Sequence, residues 1–307
     1  MLNDDTMIAA PTGAAESLTI SGRRGLLRNV GMGAALIGAA AVGFSRKAEA
    51  QTAPSDVDIL NFALNLEYLE AEFYQMAVHG HGLDAANSTG TGGNPGAVNG
   101  GGKVAFTSKY VRQYAEEIAN DELNHVKFLR AALGSYAVAR PAINLNQSFT
   151  ALARAAGIVG PSGTFNPFIG DDSFLLGAFI FEDVGVTAYN GAVASIESKT
   201  YLSAASSILA VEAYHAAAIR IQLLQLGLSG QANKISALRA ALSSAVVAGA
   251  GDDEGITRAH GKANIVPTDS NALAFARTPA QVLNIVYGGG ASSNYLFFPD
   301  KMNGSIS

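Results

Sequence analysis

The chain of 307 residues contains no cysteine and no tryptophan. Without thiols there is no disulfide, thiolate zinc site, iron-sulfur cluster or cysteine nucleophile, so any metal must be held by oxygen and nitrogen. Charge is scarce as well: 15% of residues are charged and the net charge is −5. The body of the chain has no run of Lys or Arg and no basic patch interleaved with aromatics, which argues against nucleic acid as a partner. Nothing resembles a phosphate-binding glycine loop, a dinucleotide fingerprint or a hydrolase nucleophile elbow. What the chain does have is 49% hydrophobic residues, enough for one large core or two ordinary ones.

The N-terminal stretch has the layout of a twin-arginine export signal. Arg23 and Arg24 precede a weak apolar run over residues 30–44, followed by Arg46, Lys47 and Ala48-Glu49-Ala50. The run is shorter than the roughly 20 residues that a membrane span needs, so the pattern predicts cleavage after Ala50 and a mature form with no stable membrane span. The expected location is the periplasm or another exported compartment, and the expected partner of residues 1–50 is the twin-arginine export machinery. Such substrates cross the membrane folded, so a metal would be inserted beforehand.

Apolar residues recur with helical period over residues 55–78, 108–133, 173–198 and 201–226. Ser55 and Ser173 are suited to cap helix starts, and Gly134 and Gly227 to end helices. Residues 80–103, rich in Gly, Asn, Ser and Thr, read as a mobile loop. Residues 135–172, with Pro141, Pro161, Pro167 and a short helix over 148–156, are long enough to cross from one end of a bundle to the other. Further helices are predicted over 232–248 and, behind Thr278, over 279–286. The reading is an all-α four-helix bundle (51–227) with one long crossover connection, carrying a C-terminal helical and irregular appendage (228–307).

Two helices carry Glu-x-x-His: Glu122 with His125, and Glu212 with His215. At that spacing both side chains lie on one helix face and can chelate one ion. Glu122 and His125 share their face with Tyr114, Ile118, Leu129 and Ala132; Glu212 and His215 share theirs with Ala205, Ile208, Ile219 and Leu223. Charges in an apolar stripe require partners. Glu67 and Glu182, each central in the stripe of its own helix, supply them. Each is followed seven residues later by a tyrosine on the same face, Tyr74 and Tyr189, which are candidate hydrogen-bond donors or electron carriers. One Glu from each of two helices and Glu-x-x-His from each of the others is the ligand set of di-iron and di-manganese carboxylate bundles. Glu70, near the same face, stands as an alternative ligand to Glu67 or as a hydrogen-bond acceptor behind the ligands. Glu72 points away and is expected to be solvated, as are His260 and Asp252-Asp253-Glu254. Asp121 flanks its stripe as a partner for a ligand. His79 and His81, beside the glycine-rich loop, could bind metal weakly.

The blocks LNFALNLEYLEAEFY, NDELNHVKFLRAALG, FIFEDVGVTAYNGA, AVEAYHAAAIR and ALAFARTPAQVLNIVYGGG make the chain similar to the ferritin-like superfamily, and specifically to the desiccation-related ferritin-like proteins. The resemblance implies two Fe or Mn ions per chain, held by Glu67, Glu122, His125, Glu182, Glu212 and His215. It also implies oxidoreductase chemistry on O2, peroxide or Fe2+ in oxidative or desiccation stress, with any electron donor a separate protein. The alternative is a non-enzymatic envelope protein whose metal pair is structural or vestigial. The long glycine-rich loop and the C-terminal segment depart from cage-forming ferritins, while a homo-oligomer stays open. If the arginine pair directs export, replacing Arg23 and Arg24 by Lys should leave the protein in the cytoplasm on fractionation; export of the double variant at native levels would overturn the assignment.

Overall fold

A computed structural model describes residues 53–92, 95–289 and 296–307; the twin-arginine segment and its cleavage position lie outside them. The first bundle helix, α1 (Asp56–His79), opens on a capping box between Ser55 and Asp58 and stops at Gly80, whose φ of 81° suits a residue without Cβ. After the single turn α2 (Ala85–Ser88) and the short strand β1 (Val98–Gly100) comes α3 (Lys109–Leu133), capped by Ser108. The crossover holds β2 (Ile143–Leu145) and α4 (Gln147–Ala155). Helices α5 (Asp171–Val193) and α6 (Lys199–Gln225) complete the bundle, followed by α7 (Ser229–Val246) and α8 (Pro279–Val286), the latter opened by a Thr278–Gln281 capping box.

In the bundle, α1 packs along α3 and α5 along α6, while α1 also meets α5 and α3 meets α6. Contacts run in opposite senses along the pairs. Gln75 of α1 bonds the Ala119 carbonyl while Glu67 reaches His125; Tyr74 bonds Glu182 while Tyr189 bonds Glu67. Because α3 and α5 both run opposite to α1, the chain must return along the full length of the bundle between them. That requirement explains the long crossover. Helix α6 is long and apolar enough to cross a membrane by composition, and a third of its apolar window is buried; Ala205, Ile208, Ile219 and Leu223 are buried on it together with Glu212, His215 and Arg220.

The helix pairs are spaced alike. Asp56, Glu67 and Tyr74 of α1 match Asp171, Glu182 and Tyr189 of α5, and Ser108, Glu122 and His125 match Ser198, Glu212 and His215. The caps obey the repeat. Asp56 accepts the amides of Glu197 and Ser198 at 2.9 Å, and Asp171 accepts that of Ser108 at 2.8 Å, so each carboxylate secures the start of a helix in the other pair, α6 and α3 respectively. This corrects the sequence boundaries of α5. The helix begins at Asp171 behind Gly170, not at Ser173, and ends at Val193 because Ser198 must leave it to cap α6.

The glycine-rich segment is also not the loose loop expected. β1 pairs in parallel with β2, Val98 opposite Ile143, and the amides of Thr91 and Gly96 bond the carbonyls of Ala137 and Arg140. Glycine is required by backbone approach: a Cβ on Gly90 would stand 2.3 Å from the Ala139 nitrogen, and one on Gly96 2.2 Å from that of Ala142. Glu72, expected in solvent, is buried beneath this layer and ion-paired to Arg140. The layer reaches the core through Phe73, which stacks on Phe174 at 5.6 Å and touches Phe149, Phe168 and Phe181.

The C-terminal segment is tied to α5 and α6 by buried charge. Arg220 and Arg239 both bond Asp183 at 2.6 Å; Arg239 and Arg277 bond Asp253 at 2.9 and 2.7 Å. Asp252, expected in solvent, is therefore buried, the Asp253 side chain is enclosed by its arginines, and the backbone carbonyl of Glu254 accepts from Arg220. Gly191 lets the chain pass, since a Cβ there would stand 2.0 Å from the Arg277 carbonyl oxygen. Because the glycine-rich segment meets backbone, Gly96→Ala should destabilise the protein by ~1–3 kcal/mol, lowering Tm by about 2–4 °C for each kcal/mol. An unchanged Tm by differential scanning calorimetry would restore the loose-loop reading.

Candidate metal centre

All six residues singled out by spacing converge midway along the bundle, and all six are buried. Nδ1 of His125 lies 3.2 Å from Glu67 Oε2, 3.3 Å from Glu122 Oε2 and 3.6 Å from Glu212 Oε1. Nδ1 of His215 lies 3.1 Å from Glu122 Oε1 and 3.6 Å from Glu182 Oε2. Glu122 thus spans the two imidazoles, one oxygen toward each. The tyrosines reach across the repeat: Tyr74 donates to Glu182 Oε1 and Tyr189 to Glu67 Oε1. Each thereby satisfies one oxygen of a carboxylate and leaves the other directed inward.

Most of the buried polar atoms without hydrogen-bond partners among the described residues are these inward ones: Glu67 Oε2, Glu70 Oε2, Glu122 Oε1, Glu182 Oε2, both oxygens of Glu212 and His215 Nδ1, the others being Glu72 Oε2 and Arg140 Nε beneath the glycine-rich layer. Ligand atoms of Glu67, Glu122, His125 and Glu212 lie within 4.8 Å of one another, as do those of Glu122, Glu182 and His215. Buried polar atoms are nearly always paired, and a set of hard carboxylate oxygens with imidazole nitrogen suits Fe or Mn. The residues fit a metal centre. Asp121 Oδ2 is 3.1 Å from His215 Nε2, so its carboxylate fixes that ring with Nδ1 facing inward. Glu70, left open against Glu67, joins it rather than replacing it; it forms a third group with Glu182 and Glu212.

The ferritin-like domain family matches residues 55–225, more than half of the chain, and that span holds every residue above. The chain belongs to the ferritin-like domain family. It is 32% identical over 243 residues to a desiccation-related protein of Craterostigma plantagineum, covering 75% of this chain and 76% of that one. It is 28% identical over 273 residues to a ferritin-like catalase of Nesocodon mauritianus, covering 82% of this chain and 85% of the relative.

In this ferritin-like chain two grooves run along the seam between α3 and α6. One reaches His125 past Phe128 and Val211; the other reaches His215 past Tyr114, Asp121 and Tyr214. His79 and His81 stack on each other at 5.6 Å beside the glycine-rich segment, and neither reaches the centre. Sequence spacing did not find Asp183, adjacent to Glu182, whose partners lie in the C-terminal segment; the only signal was three arginines, Arg220, Arg239 and Arg277, without a polar helix face to sit on.

Without an ion the charges strain against one another. Burial, reinforced by Glu122, pushes Glu70 and Glu212 well above the ordinary carboxylate range, and burial raises Glu67 to about 7 despite His125. Burial also disfavours ionised Glu122, yet the hydrogen bond from His125 and the nearby charge of His125 and His215 outweigh it and hold its carboxyl far below 4.5. Burial opposes a charge on His125, but Glu67 and Glu122 overcome it and push the imidazole up to about 12.

These shifts have a sign that can be measured. A carboxyl raised on folding contributes stability that is full below its unfolded value, near 4.5, and is lost as pH rises through its folded value, about 7 for Glu67. A raised imidazole contributes stability that is full below 6.5 and is lost as pH rises toward about 12. Both act in one direction across neutrality. Tm of chelator-treated protein should therefore fall by roughly 5 °C or more between about pH 5 and about pH 8, whereas metal-loaded protein should gain relative to it, since ligands must be deprotonated. A chelated protein equally stable at both pH values would contradict this charge balance.

Proposed function

We propose that this chain is an exported di-metal protein in which Glu67, Glu122, His125, Glu182, Glu212 and His215 hold two Fe or Mn ions, and that it disproportionates hydrogen peroxide under oxidative or desiccation stress. The observation that carries the reading is the convergence of unpaired buried oxygens and an imidazole nitrogen on one point of an apolar bundle. The ferritin-like catalase among its relatives favours peroxide over O2 or Fe2+ as substrate, and the desiccation-related relative favours a stress setting. The paired Arg23 and Arg24 support export.

When bound, the ions supply the two-electron change that converts two H2O2 into two H2O and one O2. The protein's own groups do the rest. Glu122 and Glu212, each close to ligands of both halves, hold the two positions in register. Tyr74 and Tyr189 act as positioning residues: each phenol fixes a carboxylate from the opposite side of the repeat, and burial next to those carboxylates keeps both phenols protonated. Asp121 accepts the His215 Nε2 proton and so presents Nδ1 as a neutral donor. The walls of Leu64, Ala71, Ile118 and Phe179 exclude bulk water, and the seam between α3 and α6 admits a solute as small as peroxide.

Protein purified from its native compartment should carry two Fe or Mn ions per chain by elemental analysis and release one O2 for every two H2O2 consumed. His215→Ala should reduce the ion content to one or none and slow O2 release by roughly 100-fold or more, since even outer partners of metal ligands cost 10–100-fold. A protein that binds two ions and releases no O2 would sink the catalase reading in favour of a structural or vestigial metal pair. Two ions bound tightly by His215→Ala would sink the ligand assignment itself.

A further inference from the structure

The two halves of the centre share their spacing but differ at two positions. Three residues after Glu67 stands Glu70, whereas three residues after Glu182 stands Gly185. Glu70 is buried at 5% exposure, and its Oε2 has no hydrogen-bond partner among the described residues. Its ligand atom lies within 4.8 Å of those of Glu182 and Glu212. Gly185 provides the space: a Cβ there would stand 2.4 Å from Glu212 Oε2 and 3.5 Å from Glu70 Oε1. A fifth carboxylate therefore enters the centre on the Glu182 half, in a hollow that any other residue at 185 would close.

The second difference falls one residue before each Glu-x-x-His, where α3 carries Asp121 and α6 carries Val211. Asp121 holds the outer nitrogen of His215 at 3.1 Å. Val211 can accept nothing, and among the described residues the groove that reaches His125 is lined by no carboxylate and by one charge, Lys199. Both differences add anionic oxygen to the same half.

We infer that the two ion positions are unequal: the one at Glu182 and His215, reinforced by Glu70 and Asp121, binds its ion tightly, and the one at Glu67 and His125 fills second and exchanges with solution. The inference rests on the di-metal reading above. An additional carboxylate strengthens the attraction for a cation in a low-dielectric site, and a carboxylate behind an imidazole fixes its ring and raises its basicity. At His125 neither support is present, and the groove gives an ion or a small ligand a path.

Metal-free full-length protein titrated with Co2+, followed by visible absorption, should show two steps separated by about tenfold or more in affinity. His125→Ala should keep the tight step and lose the weak one. Glu70→Gln, which preserves shape, should weaken the tight step by about 10–100-fold and merge the two. Val211→Asp leaves Glu70 in place and should tighten the weak step, which decides the matter if Glu70→Gln does not fold. Two equal steps in the wild type, or a Glu70→Gln protein that loses the weak step instead, would overturn the inequality. No Co2+ bound by folded wild-type protein would overturn the di-metal reading itself, and the inequality with it.

Discussion

Five carboxylates and two imidazoles meet inside an apolar four-helix bundle, and their charge must be balanced there because solvent cannot balance it. Protein alone achieves this only in part. Glu122 takes the charge of both imidazoles, while Glu70 and Glu212 are driven toward the protonated state by burial and by one another's neighbourhood. Divalent cations at this centre would convert the same repulsion into attraction. Ion binding and the stability of the bundle are thus a single quantity.

The remainder of the fold keeps those groups from relaxing apart. Tyr74 and Tyr189 tie α1 to α5 across the centre, and Asp56 and Asp171 set the ends of α6 and α3. From outside, Arg220, Arg239 and Arg277 meet Asp183, Asp252 and Asp253, three positive groups against three negative. This cluster is neutral, so it can sit one residue from Glu182 without altering the charge that an ion would face. It fastens the C-terminal segment to α5 and holds the helix that carries Glu182. A role for that segment, which sequence spacing alone did not reveal, is therefore mechanical support of the centre.

Coverage of the bundle is uneven, and the unevenness shapes its chemistry. The α1 and α5 side is layered over by β1, β2, α4, α8 and the final residues, with Phe297 packed on Phe149 and Phe181. Among the described residues nothing is layered over the α3 and α6 side, and its grooves end at the imidazoles. The imidazoles therefore lie toward the open grooves, while the carboxylates of α1 and α5 form the floor.

Much of this was legible in the sequence because helical periodicity is local. A Glu in an apolar stripe, followed three residues on by His, must lie on the inward face of its helix, so the six residues and the four bundle helices follow from spacing alone. The cap at Ser55 acts within three residues of its partner and is equally local, whereas Ser173 lies inside its helix and Ser198, read as a helix end, caps the next one. What spacing could not determine is anything decided by a partner distant in the chain. Glu72 looked solvated because its helix face points away from the centre, yet Arg140 in the crossover buries it. Asp252 and Asp253 looked solvated because the arginines that pair with them, Arg239 and Arg277, lie in other segments of the chain. The glycines of residues 80–103 looked permissive because their purpose, backbone lying against the crossover, is visible only once both strands are in place. Glu70 looked like a rival to Glu67 until Gly185, on another helix, showed that both fit. Side-chain direction follows from helix geometry, but the partner that meets it is set by how the helices pack.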